Sequence, residues 1–75
     1  MEDEKMPEDF PTRLRGLREK QGKSRRVVSE LCGLHPEAVR RYERGESQPT
    51  LESLAALADY FHVSVDYLIG RAAGG

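Results

Sequence analysis

The sequence predicts an all-α fold in which five short helices form an orthogonal bundle. Apolar residues recur three and four positions apart, which places them along one side of a helix, and no stretch shows the alternation typical of a strand. Serine, threonine, aspartate and glycine stand where such helices would begin and end. A chain of 75 residues has room for one domain.

The first predicted helix follows an acidic segment. Residues 1–9 carry a net charge of −4 and show no periodicity, so we expect a mobile tail. Asp9 is the expected N-cap of the helix, and Pro11 suits its first turn because no N–H donor is needed there. We expect this helix to extend to about Gln21 and to end at Gly22.

The stretch SRRVVSELCGLHPEAVRRYERG, residues 24–45, predicts two further helices joined by a tight turn. The first covers about residues 25–32 and the second about residues 36–43, with His35 in the N-cap place of the second. Gly33 stands where the first of the two must stop, at a position where glycine alone adopts the left-handed conformation without steric cost. This pattern is a helix-turn-helix.

Two more helices are predicted after a loop at residues 46–49. Thr50 is the expected cap of the fourth helix, and Ser64 is the expected cap of a short fifth helix that Gly70 ends. Residues 71–75 are expected to be frayed. The fourth helix has a wide apolar stripe formed by Leu51, Leu54, Leu57, Ala58 and Phe61.

Positive charge is concentrated around the helix-turn-helix. Residues 10–48 carry a net charge of +5, whereas residues 49–75 carry −2 and the whole chain −1. Local basic clustering of this kind is typical of nucleic-acid binding, although a solvated helical surface is also a common reason for a basic stretch.

The sequence shows no constellation typical of catalysis or of a cofactor. Cys32 and His35 have metal-like spacing, but zinc sites usually have four ligands, and Cys32 falls on the apolar side of its helix. We therefore expect no enzymatic activity, no metal, no cofactor and no small-molecule ligand. No apolar run approaches the ~20 residues that cross a membrane. A single cysteine and the lack of a signal-peptide pattern favour the cytoplasm.

The helix-turn-helix resembles that of the lambda-repressor-like regulators, also called the Xre or Cro type. The likeness covers about residues 10–70, with RLRGLREKQGKS before the motif and RRYERGESQPTLESLAALADYFHVSVDYLIG at and beyond its end. It implies a five-helix domain that binds double-stranded DNA sequence-specifically in the major groove, as a small bacterial or phage transcriptional repressor. A protein-interaction module of the same fold, antitoxin-like or scaffolding, is the alternative.

The resemblance also implies which residues contact DNA. The expected base readers are Pro36, Glu37, Arg40 and Arg41, although Glu37 and Arg41 are one turn apart and can instead pair with each other. The expected phosphate contacts are Ser24, Arg25, Arg44, Ser47 and Gln48. The family usually has Gln in place of Arg25, and often a basic residue in place of Glu46.

Other positions that the resemblance singles out concern packing and assembly. Arg18 and Glu43 are expected to form an ion pair between the first and third helices, and Ser29, where the family usually has Ala, is expected to bond a carbonyl of its own helix. Family members commonly dimerise, so we expect a weak homodimer that strengthens on DNA. Candidate partner-surface residues are Val27, Leu31, Leu68 and Ile69, of which the last two fit the core as well.

Overall fold

The computed structural model describes residues 9–70, which form five α-helices and contain no strand. The helices are α1 (Phe10–Gln21), α2 (Arg25–Leu31), α3 (Ala38–Glu43), α4 (Leu51–Phe61) and α5 (Val65–Leu68). The predicted all-α class and element order are confirmed. The tails predicted at residues 1–9 and 71–75 lie outside the described residues, except for Asp9.

Local side-chain caps determine where four of the five helices begin. The side-chain oxygens that accept a hydrogen bond from a backbone N–H three residues later belong to Asp9, Ser24, Thr50 and Ser64. Each of these bonds satisfies one of the N–H groups that a helix start leaves without a partner. The sequence predicted all four positions because the cap and the amide that it bonds are close along the chain.

The start of α3 differs from the prediction by two residues. The Nδ1 atom of His35 accepts a hydrogen bond from the N–H of Glu37 at 3.1 Å, and the His35 carbonyl accepts one from the N–H of Ala38 at 2.8 Å. These two bonds hold Pro36 and Glu37 in a turn, so the helix begins at Ala38. The N-cap residue is therefore Glu37, so the prediction of His35 as the N-cap is wrong; His35 instead holds the turn before a shorter helix.

The turn between α2 and α3 depends on Gly33. Gly33 is left-handed, with φ of 72°, and its N–H donates to the Glu30 carbonyl at 3.0 Å. The N–H of Leu34 donates to the Ser29 carbonyl at 2.8 Å, which completes a Schellman motif. The chain thus reverses within a few residues and brings α3 against α2.

One apolar core joins all five helices. Its buried members are Leu14, Val28, Val39, Tyr42, Leu57, Ala58, Phe61 and Leu68. Leu68 is fully buried, so of the two places that the sequence left open for it, core and partner surface, it occupies the core, because the single turn of α5 directs it into the bundle. Leu51 is 75% exposed, so its prediction as part of the apolar stripe of α4 is also wrong. It is the first residue of α4, and no other element covers it there.

An ion pair between α1 and the last residue of α3 fixes the two helices together. Arg18 Nε donates to Glu43 Oε2 at 2.6 Å, Arg18 Nη2 donates to Glu43 Oε1 at 3.2 Å, and Arg18 Nη1 donates to the Lys23 carbonyl at 2.9 Å. Only 12% of the Arg18 side chain and 4% of the Glu43 side chain are exposed. The hydrogen bond to Glu43 raises the pKa of the Arg18 guanidinium above its ordinary value. The pair that the resemblance implied is therefore present and nearly dry.

Ser29 makes a second polar link, between α2 and α3. Its hydroxyl donates to the Arg25 carbonyl at 2.8 Å, as expected, and it also accepts a hydrogen bond from the N–H of Val39 at 3.0 Å. Val39 is the second residue of α3, where a helix leaves its N–H without a partner of its own. Ser29 thus caps α3 from the neighbouring helix, and both residues are fully buried.

Replacing Arg18 by Ala is expected to lower the free energy of unfolding by about 3 kcal/mol, because the carboxylate of Glu43 would stay buried without its partner. Thermal and urea unfolding measure the change. Arg15→Ala is the matched control, since the Arg15–Glu19 pair is more than half exposed and should contribute under about 1 kcal/mol. Equal effects of the two substitutions would show that the Arg18–Glu43 pair does not hold the bundle together.

Ser29→Ala is expected to cost about 1–3 kcal/mol of folding stability, because the N–H of Val39 would be buried without an acceptor. Ser53→Ala is the control. Ser53 is also buried, but its hydroxyl accepts only from the Thr50 hydroxyl, so its removal leaves no buried backbone group without a partner. A Ser29→Ala variant that is as stable as Ser53→Ala would contradict the role of Ser29 as a cap for α3. Urea denaturation followed by circular dichroism compares the two variants.

Candidate nucleic-acid interface

Helix α3 separates its buried and exposed residues onto two opposite faces. Val39, Tyr42 and Glu43 point into the bundle, where they contact the core and Arg18. At about 100° per residue, the remaining positions fall together on the opposite face. The outward face of α3, as we call it, consists of Glu37, Arg40, Arg41 and Arg44. Three of its four residues are arginines, and all three are exposed.

A polar concavity of about 430 Å³ lies between the start of α2 and the start of α3. Its lining residues are Arg18, Ser24, Arg25, Arg26, Pro36, Glu37 and Arg40. The concavity is thus bordered by two of the predicted phosphate contacts, Ser24 and Arg25, and by three of the four predicted base readers. The α2–α3 concavity, as we name it, holds four arginines and one carboxylate, so it favours an anionic partner.

Carboxylates within the chain already pair with most of the arginines around this surface. Glu37 Oε1 lies 3.7 Å from Arg40 Nη1, and Arg44 Nε lies 2.8 Å from Glu46 Oε2. Glu37 therefore pairs with Arg40 rather than with Arg41, the partner that the sequence left open. Arg41 has no ion pair with any residue between 9 and 70. Its guanidinium is thus available to a ligand without a competing carboxylate from that part of the chain.

The arginines at the start of α2 are also tied to carboxylates. Arg25 Nη1 lies 4.0 Å from Glu43 Oε1, and Arg26 Nε donates to Glu30 Oε2 at 3.3 Å. Arg25 is therefore held near the buried Arg18–Glu43 pair while about half of its side chain stays exposed. Arg26 lines the α2–α3 concavity, and the sequence reading did not select it. Its place beside Arg25 in the first turn of α2 is the signal that would have found it.

The loop after α3 places Ser47 and Gln48 away from the α2–α3 concavity. They border a second depression of about 360 Å³, together with parts of α1, Tyr42 and Ile69. The structure thus does not bring these two predicted phosphate contacts into the concavity with Ser24 and Arg25. Ile69 lies in this second depression and is partly buried, whereas Val27 and Leu31 on α2 are 41% and 58% exposed. Val27 and Leu31 on α2 and Ile69 after α5 therefore remain two separate candidate patches.

The thiol of Cys32 belongs to the scaffold. Cys32 packs against the core, and burial raises the pKa of its thiol. In the part of the chain that the structure describes, no three His, Cys, Asp or Glu residues group to hold a metal ion. Nor is any helix there long and apolar enough to cross a membrane.

Comparison with known proteins identifies relatives of the chain. A family model described as helix-turn-helix matches residues 14–68. The HTH-type transcriptional regulator AnsR of Bacillus subtilis is 41% identical over 59 residues, which are 79% of this chain and 51% of AnsR. The cryptic phage CTXphi transcriptional repressor RstR of Vibrio cholerae is 34% identical over 59 residues, or 79% of this chain and 53% of RstR. The chain spans about half the length of these curated relatives.

Solved structures of similar fold include a repressor in complex with an operator and a controller protein. The P22 c2 repressor in complex with a synthetic operator superposes with a TM-score of 0.77 at 29% identity, over 83% of this chain and 94% of that chain. The restriction-modification controller protein C.AhdI of Aeromonas hydrophila gives a TM-score of 0.73 at 32% identity, over 80% and 91%. The chain therefore belongs to the lambda-repressor-like, or Xre-type, helix-turn-helix family of transcriptional regulators.

Proposed function

We propose that this chain binds double-stranded DNA sequence-specifically and serves as the DNA-binding part of a small bacterial or phage transcriptional repressor in the cytoplasm. The observation that carries the proposal is the outward face of α3, where three exposed arginines and one glutamate stand opposite the buried side of the same helix. The major groove admits one α-helix, and its base edges present acceptors and donors that such side chains match.

Rigid attachment of α3 supports its use as a recognition element. A helix of six residues is too short to be stable alone, so its geometry depends on its neighbours. Glu43 ties its end to α1, Ser29 caps its start from α2, and His35 holds the turn before it. Side chains on the outward face are therefore presented from a fixed backbone, which lowers the entropy lost on binding.

The flanking elements are suited to hold the sugar-phosphate backbone. Ser24 and Arg25 open α2 beside the α3 surface, and Arg44 leaves α3 at its other end. Contacts of this kind position a protein on the duplex without reading its sequence. The names of the relatives support the same direction, since AnsR and RstR are a transcriptional regulator and a repressor, and P22 c2 was solved with an operator. Such a role involves no catalytic step.

We infer that two copies bind one operator. Six residues of α3 extend about 9 Å, so one domain covers only a few base pairs. Two copies on half-sites about 34 Å apart would double the number of contacts. Val27 and Leu31, one turn apart and exposed on α2, are the apolar residues we propose for the contact between copies.

Substitution of Arg41 and Arg25 should separate base reading from backbone positioning. Arg41→Ala is expected to cost about 1–3 kcal/mol on a preferred site and to relax discrimination at one base pair. Arg25→Ala is expected to weaken binding to all DNA sequences alike. It should also reduce the slope of the logarithm of the binding constant against the logarithm of salt concentration by about 0.9. Fluorescence anisotropy at three salt concentrations, on a preferred site and its single-base variants, measures both effects.

Arg15→Ala is the control for this experiment, because Arg15 is exposed on α1 and does not line the α2–α3 concavity. If Arg41→Ala weakened every sequence equally while Arg25→Ala altered base preference, the two roles would be exchanged. If neither variant changed DNA affinity, the protein-interaction alternative would replace DNA binding.

Assembly is expected to be weak in solution and cooperative on DNA. Sedimentation velocity should show a monomer at low micromolar concentration and two chains on a palindromic duplex. Replacing Val27 and Leu31 by Ser should reduce the cooperativity, whereas Leu51→Ser, at another exposed leucine on α4, should leave it unchanged. A strict 1:1 complex on the palindrome would contradict the proposed dimer.

A further inference from the structure

The amide side chains that read adenine are missing from the outward face of α3. Adenine is recognised in the major groove by Asn or Gln, whose amide donates to N7 and accepts from N6. The chain has no asparagine and two glutamines. The side-chain oxygen of Gln21 accepts a hydrogen bond from the Tyr60 hydroxyl at 2.7 Å, and Gln48 borders the depression beyond the end of α3. Neither amide belongs to the outward face of α3.

The groups that do occupy the outward face complement guanine and cytosine. Guanine presents two acceptors, O6 and N7, which match the paired N–H donors of arginine. Cytosine presents its N4 donor, which matches a carboxylate, whereas the N7 acceptor of adenine would repel a carboxylate placed near its N6 donor. Pro36 has no polar side-chain atom and is limited to apolar contact. The outward face of α3 thus offers arginine donors and one carboxylate acceptor, but no side chain that both donates and accepts as recognition of adenine at N7 and N6 requires.

The intramolecular ion pairs decide which arginine is free to read. Arg40 is engaged by Glu37, and Arg44 is engaged by Glu46, whose N–H is itself held by the Arg41 carbonyl at 2.9 Å. Arg41 has no such partner among residues 9–70, so it can present two donors to one base without breaking a pair. A base edge bound by Glu37 would replace the long 3.7 Å contact with Arg40, which costs little because that pair is about half exposed.

We propose that α3 selects operator half-sites built on G·C pairs, with Arg41 donating to O6 and N7 of a guanine and Glu37 accepting from N4 of a cytosine. The two residues are four positions apart, about 6 Å along the helix, so the two bases lie within about two steps of each other. This inference rests on the proposed function, because it names the class of DNA sequence that the proposed interface would bind.

Selection from a random duplex pool by the full chain tests the composition of the site. The bound sequences are expected to carry G·C pairs at the positions of strongest preference, with a guanine and a cytosine within about two steps. Strongest preference for A·T pairs would overturn the inference and leave DNA binding intact. No enrichment over the starting pool would reject sequence-specific binding itself, and the inference with it.

Base substitution in the selected site then assigns each contact to its residue. Replacing the guanine by 7-deazaguanine removes N7. This change is expected to reduce the DNA affinity of the wild type roughly 10-fold, but that of Arg41→Ala by less than about 2-fold. Replacing the C·G pair by T·A should weaken the wild type roughly 5- to 100-fold and Glu37→Ala far less. Arg15→Ala and Glu19→Ala are the control variants, because they remove the same charges from an ion pair on α1. Each base replacement should reduce their DNA affinity by the same factor as that of the wild type. If each base replacement reduced the DNA affinity of Arg41→Ala, Glu37→Ala and the wild type by the same factor, the assignment of residues to bases would be overturned.

Discussion

The hydrogen-bonded ion pair between Arg18 and Glu43 holds α3, and with it the proposed DNA-binding surface, in its orientation on the bundle. It joins α1 to the last residue of α3 at 2.6 Å, nearly out of contact with water. Because α3 has only six residues, its orientation cannot come from its own backbone hydrogen bonds. The pair at its end and the Ser29 hydroxyl at its start together hold it against the bundle. Removing one member of a buried pair leaves the other charge without a partner, so both Arg18 and Glu43 are needed to keep the two helices in this arrangement.

The same scaffold limits the charge that the interface presents. Glu43 also lies near Arg25, Glu37 near Arg40, and Glu46 near Arg44, so each carboxylate offsets an arginine at the surface. Non-specific DNA binding depends on arginine and lysine neutralising phosphates, so this pairing should keep affinity for bulk DNA low. Arg41 is the exception on the outward face of α3, because it has no ion pair with any residue between 9 and 70. A guanidinium of this kind at the centre of α3 is suited to bind one base edge rather than to attract DNA in general.

Sequence reasoning succeeded where the determining interaction is local. Ser24, Thr50 and Ser64 each accept a hydrogen bond from the backbone N–H three residues later, so the starts of α2, α4 and α5 can be predicted from the local sequence. The resemblance supplied the Arg18–Glu43 pair, which spans 25 residues and has no local signal. Periodicity could not decide the burial of Leu51 and Leu68, because it orients a side chain without saying whether another element covers that side.

Other details of the interface needed side-chain geometry. The Ser29 hydroxyl bonds the N–H of Val39 ten residues away, which follows only from how closely α2 and α3 pack. Glu37 can reach either Arg40 or Arg41 by helix spacing, and rotamers decide between them. An NMR titration of the labelled chain with a selected duplex shows which surface meets DNA. We expect the largest amide shifts in α3 and at the start of α2. Shifts confined to Val27, Leu31 and the rest of the outer side of α2, or no shifts at all, would contradict this expectation.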